Sequence, residues 1–179
     1  MAEITLITGG ARSGKSAFAL ELARKKYHRR ALIATAVALD EEMKERILRH
    51  QQERGDAFRT VEEPLRLAEA ISSCSGQDQV AVVDCLTVWL GNLYHHCGGS
   101  ETFIENHLDG FLAVLDNPPC DLIVVTNEVG WSIVPENPLA RAFRDRAGML
   151  NRRVAQKARS VYLLCCGIPL TLKGKSVYE

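Results

Sequence analysis

Apolar residues in this chain fall into short runs that alternate with longer stretches of helical spacing. Ile4, Leu6 and Ile7 form the first run and end at glycines, and Ala17, Phe18, Ala19, Leu20, Leu22 and Ala23 follow as helix formers or apolar residues. That order predicts strand, loop, helix. The basic residues Lys25, Lys26, Arg29 and Arg30 mark an exposed helix end, and residues 31–36 read as a second strand. Asp40 can cap a helix running to about Arg54, with Met43, Ile47 and His50 on one stripe by i, i+4, i+7 spacing. Gly55-Asp56 ends that helix, residues 58–61 form a brief extended piece, and Pro64 opens a helix reaching about Ser72.

The pattern then repeats. Residues 79–83 are a β-branched run closed by Asp84, helices follow over 86–94 and 102–115, and Gly98-Gly99-Ser100 separates them. Residues 122–125 are strand-like and end in Thr126-Asn127-Glu128. A long helix over 139–159, crowded with arginines, leads to a last core strand over 161–165, and the chain closes with Gly167-Ile168-Pro169 and a short tail. Strands alternating with helices at this spacing predict an α/β fold with a mostly parallel central sheet, right-handed crossovers and flanking helices on both faces.

At 179 residues the chain fits one domain over 1–179. Lys plus Arg and Asp plus Glu balance at 22 each, so no overall field recruits nucleic acid or an anionic membrane, and a small-molecule partner is expected. Six cysteines lie scattered without a C-x-x-C pair or zinc-like spacing, as expected for buried free thiols in a reducing compartment. The first residues lack a charged-then-apolar leader, and no apolar run approaches membrane-spanning length, so the expected location is the cytoplasm. His95-His96-Cys97 is set aside as a metal site, because adjacent residues at a helix end do not converge on one ion.

The candidate chemistry begins with Gly9-Gly10-Ala11-Arg12-Ser13-Gly14-Lys15-Ser16, which fits the phosphate-binding pattern G-x-x-x-x-G-K-[ST] in full. Its position between a strand and a helix aims backbone N–H groups and the positive helix end at bound phosphates. Gly9 and Gly14 permit the tight path, Lys15 reaches the β and γ phosphates, and Ser16 holds Mg²⁺ through its hydroxyl. The predicted architecture is that of a P-loop NTPase of RecA-like type. Asp84, an acid at the carboxyl end of a buried strand, is the second metal-side candidate, with capping of the next helix as an equally weighted role. Asn127 and Glu128 end another strand and share the carboxyl edge where ligands bind in open parallel sheets. The arginines Arg141, Arg144, Arg146, Arg152 and Arg153 solvate their helix, with one able to assist a phosphate.

A phosphate loop alone does not separate a kinase from a switch or a motor. Outside the loop, Ala34-Thr35-Ala36, Asp40, Glu42-Met43, Arg46-Ile47, His50, Arg54, Thr60, Glu62 and Pro64 occur in an order that resembles a known family. Asp84-Cys85-Leu86-Thr87, Asn127-Glu128-Val129-Gly130, Ile133-Val134-Pro135, Arg144-Asp145, Gly148, Asn151 and Gly167-Ile168-Pro169 continue the likeness along nearly the whole chain. The family is the bifunctional adenosylcobinamide kinase / adenosylcobinamide-phosphate guanylyltransferase of cobalamin synthesis. Phe58, Gly55, Leu20 and Ser132 depart from its usual pattern, and none lies in the phosphate loop or at His50.

The resemblance implies two reactions: phosphorylation of adenosylcobinamide by ATP or GTP, then transfer of GMP from GTP to the adenosylcobinamide phosphate, releasing pyrophosphate. It implies His50 as the residue that carries GMP, which suits a neutral imidazole with a reference pKa of about 6.5. It further implies guanine-nucleotide binding by the phosphate loop, Ala34, Thr35, Ala36, Gln51, Gln52, Glu53, Arg54, Glu62 and Asp84. Either Asp84 or Glu128 would orient the attacking hydroxyl. A homotrimer is the implied assembly. The competing readings are a RecA-like switch module, which has no use for His50, and a kinase of another small alcohol without guanylyltransferase activity.

Overall fold

The apolar runs become strands that are buried on both faces, as parallel sheets require. A computed structural model of the protein describes residues 2–37 and 57–176. In chain order the elements are β1 (Ile4–Gly9), α1 (Lys15–Lys26), β2 (Arg30–Ala34), β3 (Arg59–Glu62), α2 (Leu67–Ser72), β4 (Val80–Asp84), α3 (Leu86–His96), α4 (Glu101–Val114), β5 (Asp121–Val125), α5 (Pro138–Lys157), β6 (Ser160–Cys165) and β7 (Ile168–Lys173). The strands form one sheet in the order β3-β2-β4-β5-β1-β6-β7. Every pairing is parallel except β6 with β7.

Successive strand residues point to opposite faces and so feed two cores. Leu6, Ile33, Val83 and Val124 join the core covered by α2, α3, α4 and α5, where Trp89 and Phe111 meet edge to face at 5.3 Å. Ile7, Leu32, Val82, Ile123 and Val125 join the other, against Ala19, Leu20 and Ala23 of α1 and the ring of Phe58. Helix starts follow side-chain capping. Ser100 accepts from the N–H of Phe103, and Asn137 accepts from Leu139 and Ala140 with Pro138 as the first helical residue.

The alternation predicted from the sequence is observed, with three differences. The helix expected from Pro64 begins at Leu67, because the Glu63 carboxylate takes the N–H groups of Leu65 and Arg66 at 3.0 and 2.9 Å and shapes a turn first. The short C-terminal tail is a strand: Ile168, Pro169 and Leu170 pair antiparallel with Cys165, Leu164 and Leu163. Its proline is tolerated because β7 is the edge strand. Cys74, Cys85 and Cys120 are buried as expected, whereas Cys165 and Cys166 are exposed, since they lie where β6 runs beyond the core into its hairpin turn. Among the described residues no helix is long and apolar enough to cross a membrane. The helix expected over 40–54 lies outside the described residues.

Candidate functional site

The phosphate loop owes its path to β1 ending beside β6. Gly9 pairs with Leu164 and has φ 146°, and a Cβ there would collide with the Leu164 carbonyl oxygen. Gly14 has φ 95° and lies against Gly167, whose N–H donates to the Ser13 carbonyl at 3.0 Å. Lys15 is buried at the first position of α1, and its ammonium donates to the Gly10 carbonyl at 2.5 Å and to Ser13 Oγ at 3.4 Å. The loop is therefore folded around its own lysine, with Ser16 next on the helix. Gly10, Ala11 and Arg12 are exposed at the lip.

Strand register sets the rest of the edge. Glu62 pairs with Ala34, Ala34 with Asp84, Asp84 with Val125, and Val125 with Ile7, so these residues form one row across the sheet. Asp84 is half-buried at the end of β4. Next to it Cys85 is buried, and burial with the neighbouring Asp84 carboxylate pushes its thiol up to about 11, while the Lys15 ammonium pulls it down. Asp84 and Lys15 thus flank the same thiol.

Thr35 joins the row from behind. Its hydroxyl donates to the Cys85 carbonyl and accepts from the Cys85 N–H, both at 2.9 Å, and its own N–H donates to the Asp84 carbonyl at 3.1 Å. Asn92 of α3 donates to the Thr35 carbonyl at 2.7 Å and to that of Pro64 at 3.1 Å. Thr35 is fully buried, so its side chain positions the end of β4. Ala34 and Ala36 stand half-buried on either side of it.

A second polar cluster fixes Glu128. Thr8 donates to Glu128 Oε1 at 2.6 Å, and Asn151 of α5 donates to the same oxygen at 3.2 Å. Asn151 also donates to the Asn127 carbonyl and accepts from Thr126 Oγ1 at 2.7 Å. Thr87 accepts from the Asn127 N–H at 2.8 Å. These contacts hold a carboxylate beside the start of the loop, since the Glu128 N–H also donates to the Gly9 carbonyl.

The structure therefore brings Gly9 to Ser16, Ala34, Thr35, Ala36, Glu62, Asp84, Asn127 and Glu128 to one edge. His50, Gln51, Gln52, Glu53 and Arg54 lie outside the described residues. Arg146 binds Glu101 and Glu105 at 2.6 and 2.9 Å, and Arg144 pairs with Asp145, so these two arginines are occupied within their own surface. The sequence reading gave no role to Thr8 or Thr126. Their signal is slight, a hydroxyl at the end of an apolar run.

Three sets of likenesses accompany this geometry. The model of the CobU family, described as cobinamide kinase / cobinamide phosphate guanyltransferase, matches residues 5–172. The chain is 39% identical over 170 residues to the bifunctional adenosylcobalamin biosynthesis protein CobP of Pseudomonas aeruginosa, covering 95% of this chain and 97% of that protein. To the bifunctional adenosylcobalamin biosynthesis protein CobU of Escherichia coli K12 it is 38% identical over 179 residues, covering 94% and 98%. Among solved structures, flagellar accessory protein FlaH from Methanocaldococcus jannaschii superposes with TM-score 0.53 at 13% identity, covering 97% of this chain and 79% of that one. The RadB recombinase does so with TM-score 0.51 at 16% identity, covering 90% and 73%. At those identities the likeness is one of fold, that of P-loop NTPases.

Proposed function

The chain belongs to the cobinamide kinase / cobinamide phosphate guanyltransferase family, and from that premise we propose how its residues divide two reactions. It is a bifunctional enzyme of cobalamin synthesis, a kinase and a guanylyltransferase. Family membership sets aside the switch module and the kinase of another alcohol. One observation carries the division of labour: a complete phosphate loop, with Lys15 folded into it, shares its sheet edge with Asp84 and an anchored Glu128.

In the first reaction the hydroxyl of the aminopropanol arm of adenosylcobinamide attacks the γ-phosphorus of ATP or GTP. An O–P bond forms, the bond to the β-phosphate oxygen breaks, and the nucleoside diphosphate leaves. Lys15 and the loop N–H groups hold the phosphates, so positioning and charge neutralisation do most of the work. Glu128, held by Thr8 and Asn151, orients the attacking hydroxyl and takes its proton. Ser16, at the first turn of α1, and the half-buried Asp84 carboxylate offer hard oxygen donors of the kind Mg²⁺ selects. Bound there, Mg²⁺ supplies further neutralisation of phosphate charge.

In the second reaction an imidazole nitrogen of His50 attacks the α-phosphorus of GTP, a P–N bond forms and pyrophosphate leaves. An oxygen of adenosylcobinamide phosphate then attacks the same phosphorus, the P–N bond breaks, and adenosylcobinamide-GDP departs. Splitting one transfer into two is the gain from a covalent intermediate. Ala34, Ala36, Gln51, Gln52, Glu53, Arg54 and Glu62 hold the guanine nucleotide, with Thr35 acting through the β4 end. The chain works as one cytoplasmic domain over 1–179 and as a homotrimer. Exposed Trp131, Ile133 and Val134, at 72%, 93% and 61%, support self-association, because apolar patches of that kind are usually covered.

The test is incubation with GTP labelled at the α-phosphate. Acid-labile, base-stable label on the chain is expected, and it should vanish in His50→Ala. Label retained by that variant would refute the histidine route.

A further inference from the structure

The two exposed cysteines of the β6–β7 hairpin have no part in either reaction, yet they stand at the wall of the phosphate loop. Cys165 pairs with Ile168, which leaves Cys166 and Gly167 as a two-residue turn. Both have positive φ, 53° and 81°. That combination belongs to type I′ hairpins, where Asn-Gly is favoured and a residue with a bulkier Cβ substituent is strained. A cysteine at Cys166 is thus not what the turn alone would select. Its sulfur lies 4.0 Å from that of Cys165. The shared hydrogen bond raises the Cys165 thiol above its ordinary value.

One hydrogen bond ties the turn to the loop, and the two backbones approach closely beside it. The Gly167 N–H donates to the Ser13 carbonyl at 3.0 Å, a Cβ on Gly14 would come within 3.3 Å of the Gly167 Cα, and the Leu164 carbonyl closes over Gly9. Movement of the Cys165-Cys166 pair is therefore movement of the loop's wall.

We propose that Cys165 and Cys166 form a dithiol site for a trivalent arsenical, and that bridging the two sulfurs closes the phosphate loop to nucleotide. A single thiophilic atom with bonds of about 2.3 Å, the length of a zinc–thiolate bond, would span the 4.0 Å gap at an angle of about 120°, so a pyramidal trivalent arsenic, with its narrower angle, draws the two sulfurs closer together. With an organoarsenic(III) oxide, two As–S bonds form, the arsenic–oxygen bond breaks, and the two thiol protons leave with that oxygen as water. No oxidation state changes. The bridge re-aims the turn and with it the Ser13 carbonyl and Gly14. By linkage, nucleotide in the loop opposes the bridge to the same extent.

The inference rests on nucleotide binding at Gly9 to Ser16, so GTP affinity of the untreated protein is measured first. If GTP does not bind, the functional reading fails; the remaining steps test the dithiol alone. Phenylarsine oxide is then added to the full chain. One equivalent is expected by intact mass, with GTP affinity reduced tenfold or more, recovery with dimercaptopropanol but not with a monothiol, and slower adduct formation in saturating GTP. Cys165→Ser should bind GTP normally and resist the reagent, and Cys166→Asn, which suits the turn, should do the same. Unchanged GTP affinity in the bridged protein would overturn the proposal, as would an equal effect in Cys165→Ser, which would place the reaction at another thiol such as half-buried Cys97.

Discussion

The two halves of the ligand edge are built in different ways. On one side, β5, β1 and β6 hold the phosphate loop, a motif of eight consecutive residues. On the other, β2, β3 and β4 bring Ala34, Glu62 and Asp84 into one row from segments far apart in the chain. The first half is a local motif that needs only a strand before it and a helix after it. The second exists only once the sheet has formed. The loop's part of the edge is thus written in one stretch of chain, and the rest of the edge is assembled at long range.

That contrast can be broken most sharply at His50. His50→Ala should abolish covalent guanylylation while leaving cobinamide phosphorylation within a few-fold of wild type, read by transfer of γ-labelled phosphate; loss of both activities would mean that the halves do not act separately. Lys15→Ala should lower phosphorylation about 10²–10³-fold, the usual effect of removing one preorganised electrostatic donor. It should impair guanylylation too, because GTP uses the same loop. Asn151→Ala should lower kcat for phosphorylation by about tenfold or more with little change in KM for nucleotide, since it removes one of the two side chains that hold Glu128 without touching the loop. A change in KM alone would deny Glu128 its orienting role.

Two smaller effects probe the joint between the halves, where Cys85 meets Thr35 on one side and Lys15 and Asp84 on the other. Thr35→Val leaves the buried Cys85 N–H without its acceptor and should cost about 1–3 kcal/mol in urea unfolding. Cys85 ionises near 11 in the fold and near 9 when unfolded, so its contribution is complete below pH 9 and is lost as pH rises toward 11. The loss at pH 10 should be on the order of 1 kcal/mol. Cys85→Ala should flatten that slope.

The same contrast explains what was legible beforehand. The loop was readable because its glycines, lysine and serine are contiguous, and Asp84 and Glu128 because each ends an apolar run. The anchoring of Glu128 was not readable, since Thr8, Thr126 and Asn151 come from β1, the end of β5 and α5. Thr35 was matched to a nucleotide-binding segment, but only the register with Asp84 reveals that its hydroxyl is committed to Cys85. β7 was missed because Gly167 and Pro169 read as chain punctuation, whereas an edge strand accepts a proline that an inner strand would reject. Local chemistry announces itself in order along the chain; chemistry that depends on register does not.

The C-terminal hairpin has a practical side as well. β7 covers the outer edge of β6, and its own face shows Ile168, Leu170 and Leu172 at 56%, 50% and 61% exposure. Cutting the chain after Gly167 would bare the backbone donors and acceptors of an inner strand, which is a recipe for edge-to-edge aggregation. The last strand therefore governs solubility and handling, and a fusion tag belongs beyond Lys173 with the strand left whole.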